Sequence, residues 1–247
     1  MRRLLAARHG AVLAGLASGR TLLAFDYDGV LAPLRRGDPA GLPMGEATAS
    51  LLAGAAATWP VAVVSGRSFE DARRLTRGIP EVVVGNHGFE DGRARAVPAR
   101  VRTRVRRWRL ELERRLDGLP GWWIEDKGST LSVHFGLARR WRAVGQAALR
   151  AARRLEGARL VPGKQVLNVL PRGFPHKGDA LLALLARLSL DAALFVGDDL
   201  TDEDAFAVGP PRVVGVRVGP GPTRAAWRLR DRGEVDGLLR RLAALRR

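Results

Sequence analysis

The chain has 247 residues, 46% hydrophobic and 27% charged, which is long enough to bury a sizeable core without disulfide or metal staples. It contains no cysteine, which excludes disulfides, thiolate metal sites and cysteine catalysis, agrees with a reducing compartment and leads us to expect a cytoplasmic location. The net charge of +17 attracts anions in general, but the basic residues are spread along the chain and only three of the 42 are lysines, so no specific nucleic-acid partner is expected.

The first twenty residues begin basic and end in small residues, as a signal peptide does, but Arg8 and His9 interrupt the apolar stretch. A solvent-facing first helix is the better reading. No uninterrupted run of about 18 apolar residues occurs, so neither a transmembrane helix nor a membrane partner is expected. Residues 22–26 (LLAFD) read as a short buried strand ending in a carboxylate. An Ala- and Leu-rich helix is predicted over 46–58, stopped by Trp59-Pro60. Val61–Val64 is a second strand, broken by Ser65-Gly66-Arg67; residues 68–77 read as a helix and Val82–Val84 as a third strand. Strands alternating with helices through short loops indicate a parallel α/β sheet.

The pattern then changes. Residues 100–116 place Val101, Val105, Trp108, Leu112 and Leu116 on one helical face, with arginines filling the rest. Strand-like runs follow at Trp122–Glu125 and Thr130–Phe135, then a helix at 138–155, then strands at Arg159–Val161 and Gln165–Leu170. This order predicts a separate α+β unit with an antiparallel sheet. From Lys177 the first style returns, with a helix over 178–188, strands at Ala193–Val196 and Val213–Val218, and an Arg-rich helical segment over 223–246. The predicted architecture is a discontinuous α/β core, residues 1–92 and 174–247, with an inserted α+β domain at 93–173.

In an open parallel sheet, ligands bind at the carboxyl ends of the strands. Four polar clusters fall at such ends or at a helix start: Asp26-Tyr27-Asp28-Gly29, Ser65-Gly66-Arg67, Lys177, and Asp198-Asp199 with Asp202. In an extended backbone, the carboxylates of Asp26 and Asp28 would point to the same side. Acids gathered this closely repel unless a cation sits nearby or one takes a proton, and hard oxygen ligands favour Mg²⁺. Phosphoryl transfer needs an in-line nucleophile, cations on the equatorial oxygens and a proton source. An Asp carboxylate can form an aspartyl phosphate, a second Asp can act as acid and base, and Ser65, backbone N–H groups and Lys177 can hold phosphoryl oxygens. Lysine and asparagine are rare in this chain, so Lys127, Lys164, Lys177, Asn86 and Asn168 stand out.

These residues, FDYDGVLAPL, VVSGR, the lysine of HKGDAL, and GDDLTDEDAF, resemble the four motifs of the haloacid dehalogenase superfamily. Within it the chain resembles the trehalose-6-phosphate phosphatase family, through Tyr27 between the acids, GNHGFE at 85–90, IEDKGSTLSVHF in the insertion, and GKQVLNVLP before HKGDAL. The resemblance implies a Rossmann-like core with a cap domain. It implies Asp26 as nucleophile and Mg²⁺ ligand, and Asp28 as acid/base that binds Mg²⁺ through its backbone carbonyl. Asp198 is implied as the third protein ligand, with Asp199 or Asp202 assisting through water or orienting Lys177. Ser65, Gly66 and Lys177 are implied to bind phosphate, with Arg67, Asn86 and His87 lining the site. In the cap, Glu125, Lys127, Lys164 and Asn168 are implied to read the sugar. Two cap positions depart from the family pattern: Gly136 stands where an Arg is usual, and Asn168 where Glu is usual. The expected substrate is therefore trehalose 6-phosphate, with a related sugar or pseudo-disaccharide phosphate as the alternative. A monomer is expected.

Overall fold

The computed structural model describes residues 2–34, 41–92 and 97–246, which form two compact units. One unit takes residues 2–34, 41–92 and 175–246; the other takes 97–174. Residues 93–96, where the insertion was expected to begin, lie outside the described residues.

The first unit opens with a two-residue strand, β1 (Arg2–Arg3), and a helix, α1 (Gly10–Ser18). Leu13 and Leu16 of α1 are buried, so this helix is not simply solvent-facing as its sequence suggests. Then follow β2 (Thr21–Phe25), α2 (Glu46–Ala56), β3 (Val61–Val64), α3 (Phe69–Leu75) and β4 (Val82–Val84). The second unit contains α4 (Ala99–Leu116), β5 (Trp123–Asp126), β6 (Leu131–His134), α5 (Trp141–Ala152), β7 (Ala158–Gly163) and β8 (Val166–Pro171). The chain returns to the first unit with α6 (Lys177–Arg187), β9 (Ala192–Gly197), α7 (Glu203–Phe206), β10 (Val213–Val218), β11 (Trp227–Leu229) and α8 (Gly233–Ala244). The Arg-rich segment 223–246, expected to be helical throughout, instead supplies a strand and then a shorter helix. Trp227 and Leu229 point into the core while Arg228 between them does not, a period of two hidden among arginines.

The first unit's sheet has seven strands in the order β1-β11-β10-β9-β2-β3-β4, and each adjacent pair is parallel. From β2 the chain winds one way through β3 and β4; from β9 it winds the other way through β10 and β11. The reversal lies between β2 and β9, which is where a doubly wound sheet opens a crevice at its carboxyl edge. Both faces are covered, as parallel sheets require. Leu23 and Phe25 of β2 pack into the layer with Leu52, Leu238 and Leu239. Leu22 and Ala24 pack oppositely, with Leu181, Leu184 and Leu185 of α6. Each such fully buried Leu stabilises the fold by about 1.5–3 kcal/mol relative to leaving it exposed.

In the second unit the sheet is antiparallel, in the order β5-β6-β8-β7. Leu131, Val133, Leu167 and Val169 cover one face with Val105, Trp108 and Leu112 of α4 and Val144 and Ala148 of α5. Trp108 is fully buried, and its indole N–H donates to the Glu156 carbonyl at 3.2 Å. By alternation the other face carries Trp123, Glu125, Ser132, His134 and Asn168.

Candidate active site

Asp26 follows β2 directly. Its backbone N–H donates to the Val196 carbonyl at 2.8 Å, locking it to the end of β9. Asp198 therefore follows β9 beside it. The carboxylates of Asp26, Asp198 and Asp202 each offer an oxygen within 4.8 Å of the others, and all three residues are buried. Lys177, the first residue of α6, is 1% exposed. Its Nζ lies 2.9 Å from Asp26 Oδ2 and donates to Asp202 Oδ1 at 2.7 Å.

Asp202 has much of its accepting capacity committed. Beyond Lys177, its Oδ2 accepts from the backbone N–H groups of Asp198 (2.7 Å) and Asp199 (2.8 Å). It thus holds the loop that carries Asp198 as well as the ammonium of Lys177. Burial pushes the Asp26 carboxyl well above the usual carboxylate range; Lys177 pulls it down, while the charges of Asp202 and Asp198 push it further up. Burial works against the charge of Lys177, but Asp202 and Asp26 outweigh it and hold the ammonium above its ordinary value.

The chain does not continue extended after Asp26. It turns, with the N–H groups of Leu31 and Ala32 both donating to the Tyr27 carbonyl at 2.9 and 3.0 Å. Gly29, at φ 75°, makes the turn possible, and a Cβ there would lie 2.2 Å from Asp198 Oδ2. The residues after Asp26 therefore do not form the extended strand on which the same-side placement of the Asp26 and Asp28 carboxylates was based. Asp28 instead takes a bidentate pair from Arg67, Nε to Oδ2 at 2.7 Å and Nη2 to Oδ1 at 2.8 Å. Tyr27 is fully buried, and its hydroxyl donates to the Leu42 carbonyl at 2.8 Å. Burial and the charge of Asp28 push that phenol up to about 12.

Ser65 follows β3 directly and is buried, with its Oγ accepting from the Arg67 N–H at 3.3 Å. Gly66 lets the His87 imidazole approach, since a Cβ there would lie 2.6 Å from the ring. Asn86 and His87 are buried and both lie in the left-handed backbone region, at φ 47° and 61°. The Asn86 N–H donates to the Arg67 carbonyl at 2.5 Å and its Nδ2 to Glu90 at 3.1 Å. The His87 N–H donates to the Ser65 carbonyl at 3.0 Å. The 85–90 loop is thereby fastened to the Ser65-Gly66-Arg67 loop. Asp199, by contrast, is half-buried and its carboxylate is not among the three clustered acids.

In the second unit, three of the four sugar-reading candidates share one network. His134 Nε2 meets Glu125 Oε2 at 2.9 Å, and Lys127 Nζ lies 3.5 Å from the same oxygen. Lys127 donates to Ser132 Oγ (3.1 Å), Ser132 donates to Asn168 Oδ1 (2.8 Å), and Asn168 Nδ2 donates to the Val161 carbonyl (3.3 Å). The His134 ring stacks on Trp123 with centroids 4.1 Å apart. Lys164 lies apart in sequence register, exposed on the turn between β7 and β8. Sequence reasoning passed over Ser132 and His134, although the strand alternation of LSVH puts both on the face of Glu125. It also passed over Arg217, a basic residue inside the apolar run VVGVRV.

A doubly wound parallel sheet with acids at the ends of its two central strands, a buried lysine starting a later helix, and a separate α+β unit define a haloacid dehalogenase fold. The trehalose-phosphatase pattern matches residues 24–228. A rice protein (Oryza sativa subsp. japonica) named "Probable trehalose-phosphate phosphatase 9" is 33% identical over 93% of the chain and 72% of its own length. A trehalose-phosphate phosphatase of Mycobacterium marinum is 31% identical over 93% of the chain and 63% of its own length. The solved C-terminal domain of a Candida albicans trehalose-6-phosphate phosphatase shares the fold with a TM-score of 0.80 at 24% identity, covering 95% of this chain and 96% of that one. The chain belongs to the trehalose-phosphatase family. Among its described residues, no helix is long and apolar enough to cross a membrane.

Proposed function

We propose that the protein is a Mg²⁺-dependent phosphatase that releases phosphate from trehalose 6-phosphate through an aspartyl phosphate on Asp26. The observation that carries this reading is the setting of Asp26: a buried carboxylate at the sheet's switch point, 2.9 Å from a buried lysine and clustered with two more buried acids. The donor set fits a hard divalent cation, being all carboxylate and carbonyl oxygen in a cluster that one lysine does not neutralise. Asp26, Asp198 and the backbone carbonyl of Asp28 would hold Mg²⁺, with Asp199 beside them. Asp202, committed to Lys177 and two backbone N–H groups, serves to orient them. Bound Mg²⁺ would supply positive charge to offset the repulsion between the phosphate and the carboxylates.

An Asp26 oxygen bonds to phosphorus as the bond from phosphorus to the sugar oxygen breaks. Asp28, released from Arg67 and protonated, gives its proton to the leaving oxygen. Asp28 then takes a proton from water while the water oxygen bonds to phosphorus and the phosphorus–Asp26 bond breaks. Phosphate leaves and both carboxyls are restored. Lys177, Ser65 and the Gly66 N–H hold the phosphoryl oxygens, and Arg67, Asn86 and His87 shape the surrounding loops. The first unit is the catalytic core. The second unit is the sugar reader, through the polar sheet face of Glu125, Lys127 and Asn168 together with Lys164.

A second reading, the same chemistry on a related sugar or pseudo-disaccharide phosphate, draws support from Asn168, whose amide is already engaged by Ser132 and Val161. Phosphate release across a panel of disaccharide and monosaccharide phosphates, with Mg²⁺ and with EDTA, tests both. Preferred turnover of trehalose 6-phosphate that stops in EDTA is expected. Faster turnover of another sugar phosphate overturns the substrate, and unchanged turnover in EDTA overturns the metal.

A further inference from the structure

Arg217 is the one charged residue of β10, a strand whose other residues are valines and Gly215, and it is 7% exposed. A buried arginine in a parallel strand is costly to desolvate. The cost is compounded because its Nε–H, in the interior, has no hydrogen-bond partner among the described residues. Valine fits the strand period, so packing alone does not account for an arginine here.

Its partners suggest a reason. In the sheet register Arg217 lies beside Gly197, the last residue of β9 before Asp198. Its Nη1 donates to the Asp199 carbonyl at 3.3 Å and to Glu203 Oε1 at 3.3 Å. The other carboxylate oxygen of Glu203 accepts the Arg224 backbone N–H at 2.8 Å. Glu203 thus ties the start of α7 to the stretch of chain between β10 and β11. The loop from Asp198 to Asp202 is consequently held through both kinds of backbone group. Asp202 takes the N–H groups of Asp198 and Asp199, and Arg217 takes the Asp199 carbonyl. One peptide away lies Asp198, whose carboxylate packs against Gly29.

We infer that Arg217, braced by Glu203, is a positioning residue that fixes the Asp198 carboxylate for Mg²⁺. The inference rests on the metal reading proposed above. Groups that orient metal ligands through a hydrogen bond govern metal affinity without touching the ion, and a loop carrying a ligand on a short bend needs both kinds of backbone group fixed to hold that ligand in place.

The test is Mg²⁺ binding by titration calorimetry on the full chain, without substrate, for the wild type, Arg217→Met, Glu203→Gln and the double variant. Thermal melting is recorded for each. The Mg²⁺ Kd is expected to rise about tenfold in each single variant. The double variant is expected to rise no further than the larger single change, because the two residues form one brace. At saturating Mg²⁺ the KM for trehalose 6-phosphate should stay within about twofold. If Arg217→Met does not fold, Glu203→Gln, which keeps the side-chain volume, carries the test. Folded variants with lowered melting temperature and wild-type Mg²⁺ affinity would show a purely structural strut and overturn the inference. Absence of Mg²⁺ binding by the wild type overturns the metal reading on which it rests.

Discussion

Replacing Lys177 by methionine leaves an unbranched side chain one heavy atom shorter and removes the charge from between two buried acids. Its Nζ stands 2.9 Å from Asp26 and 2.7 Å from Asp202, so each contact carries about 6 kcal/mol of attraction at an effective dielectric of about 20. Most of that sum is offset by the desolvation of three charges. The net cost of breaking a buried pair by removing one partner is about 3–5 kcal/mol. In a chain of this size that corresponds to a fall of roughly 6–20 °C in melting temperature, at about 2–4 °C per kcal/mol. The melt is run in EDTA, because a bound cation would replace part of the lost charge. In the same variant, loss of a donor to the phosphoryl oxygens lowers kcat by about 10²–10³-fold. The second substitution, Asp202→Asn, added to Lys177→Met, should recover part of the stability, since it removes one of the stranded charges. A variant that melts within about 2 °C of wild type and keeps kcat within threefold would refute the placement of Lys177 at the centre of the site.

Two further substitutions probe the two units separately. Gly29→Ala puts a Cβ 2.2 Å from Asp198 Oδ2 in a backbone at φ 75°; it should cost about 1–2 kcal/mol of stability and, by displacing Asp198, raise the Mg²⁺ Kd about tenfold in calorimetry. Asn168→Ala strands the Ser132 hydroxyl and the Val161 carbonyl; denaturant melts should show a loss of about 1–3 kcal/mol, with the KM for the sugar phosphate rising more than kcat falls.

Much of the site was legible because strands in a parallel sheet announce themselves as apolar runs and the chemistry sits at their ends. LLAFD, VAVV and ALFVGDD each pair a buried run with the polar residues that follow it, and the structure brings Asp26, Asp198 and Lys177 within a few ångströms of one another. What was not legible has identifiable causes. β1 is two residues long and β11 three, too short for a period to stand out in the sequence, and arginines around β11 gave a helical composition. The pairing of Asp28 with Arg67 depended on the turn made after Asp26, which a strand template does not contain. The commitment of Asp202 depended on the tight loop that folds its carboxylate back onto two N–H groups. Arg217 could have been noticed as the one charge in a buried strand, but its partners, a backbone carbonyl and Glu203, are set by the register of β10 on β9.

Lysines followed the opposite logic. In a chain so rich in arginine, Lys177 marks a narrow buried slot between two carboxylates, and Lys127 a second one, its side chain 8% exposed between Glu125 and Ser132. A compact ammonium with rotatable donors fits such slots where a planar guanidinium does not.

The central claim is that Asp26 itself carries the phosphoryl group. Protein turning over trehalose 6-phosphate with Mg²⁺ is quenched with borohydride, which reduces an acyl phosphate on aspartate to homoserine, and the peptide containing residue 26 is read by mass spectrometry. The account predicts homoserine at position 26 only when substrate and Mg²⁺ are both present, none at Asp28 or Asp198, and loss of both label and turnover, by at least about 10⁴-fold, in Asp26→Asn. Steady phosphate release with unmodified Asp26, or label at another carboxylate, would contradict it.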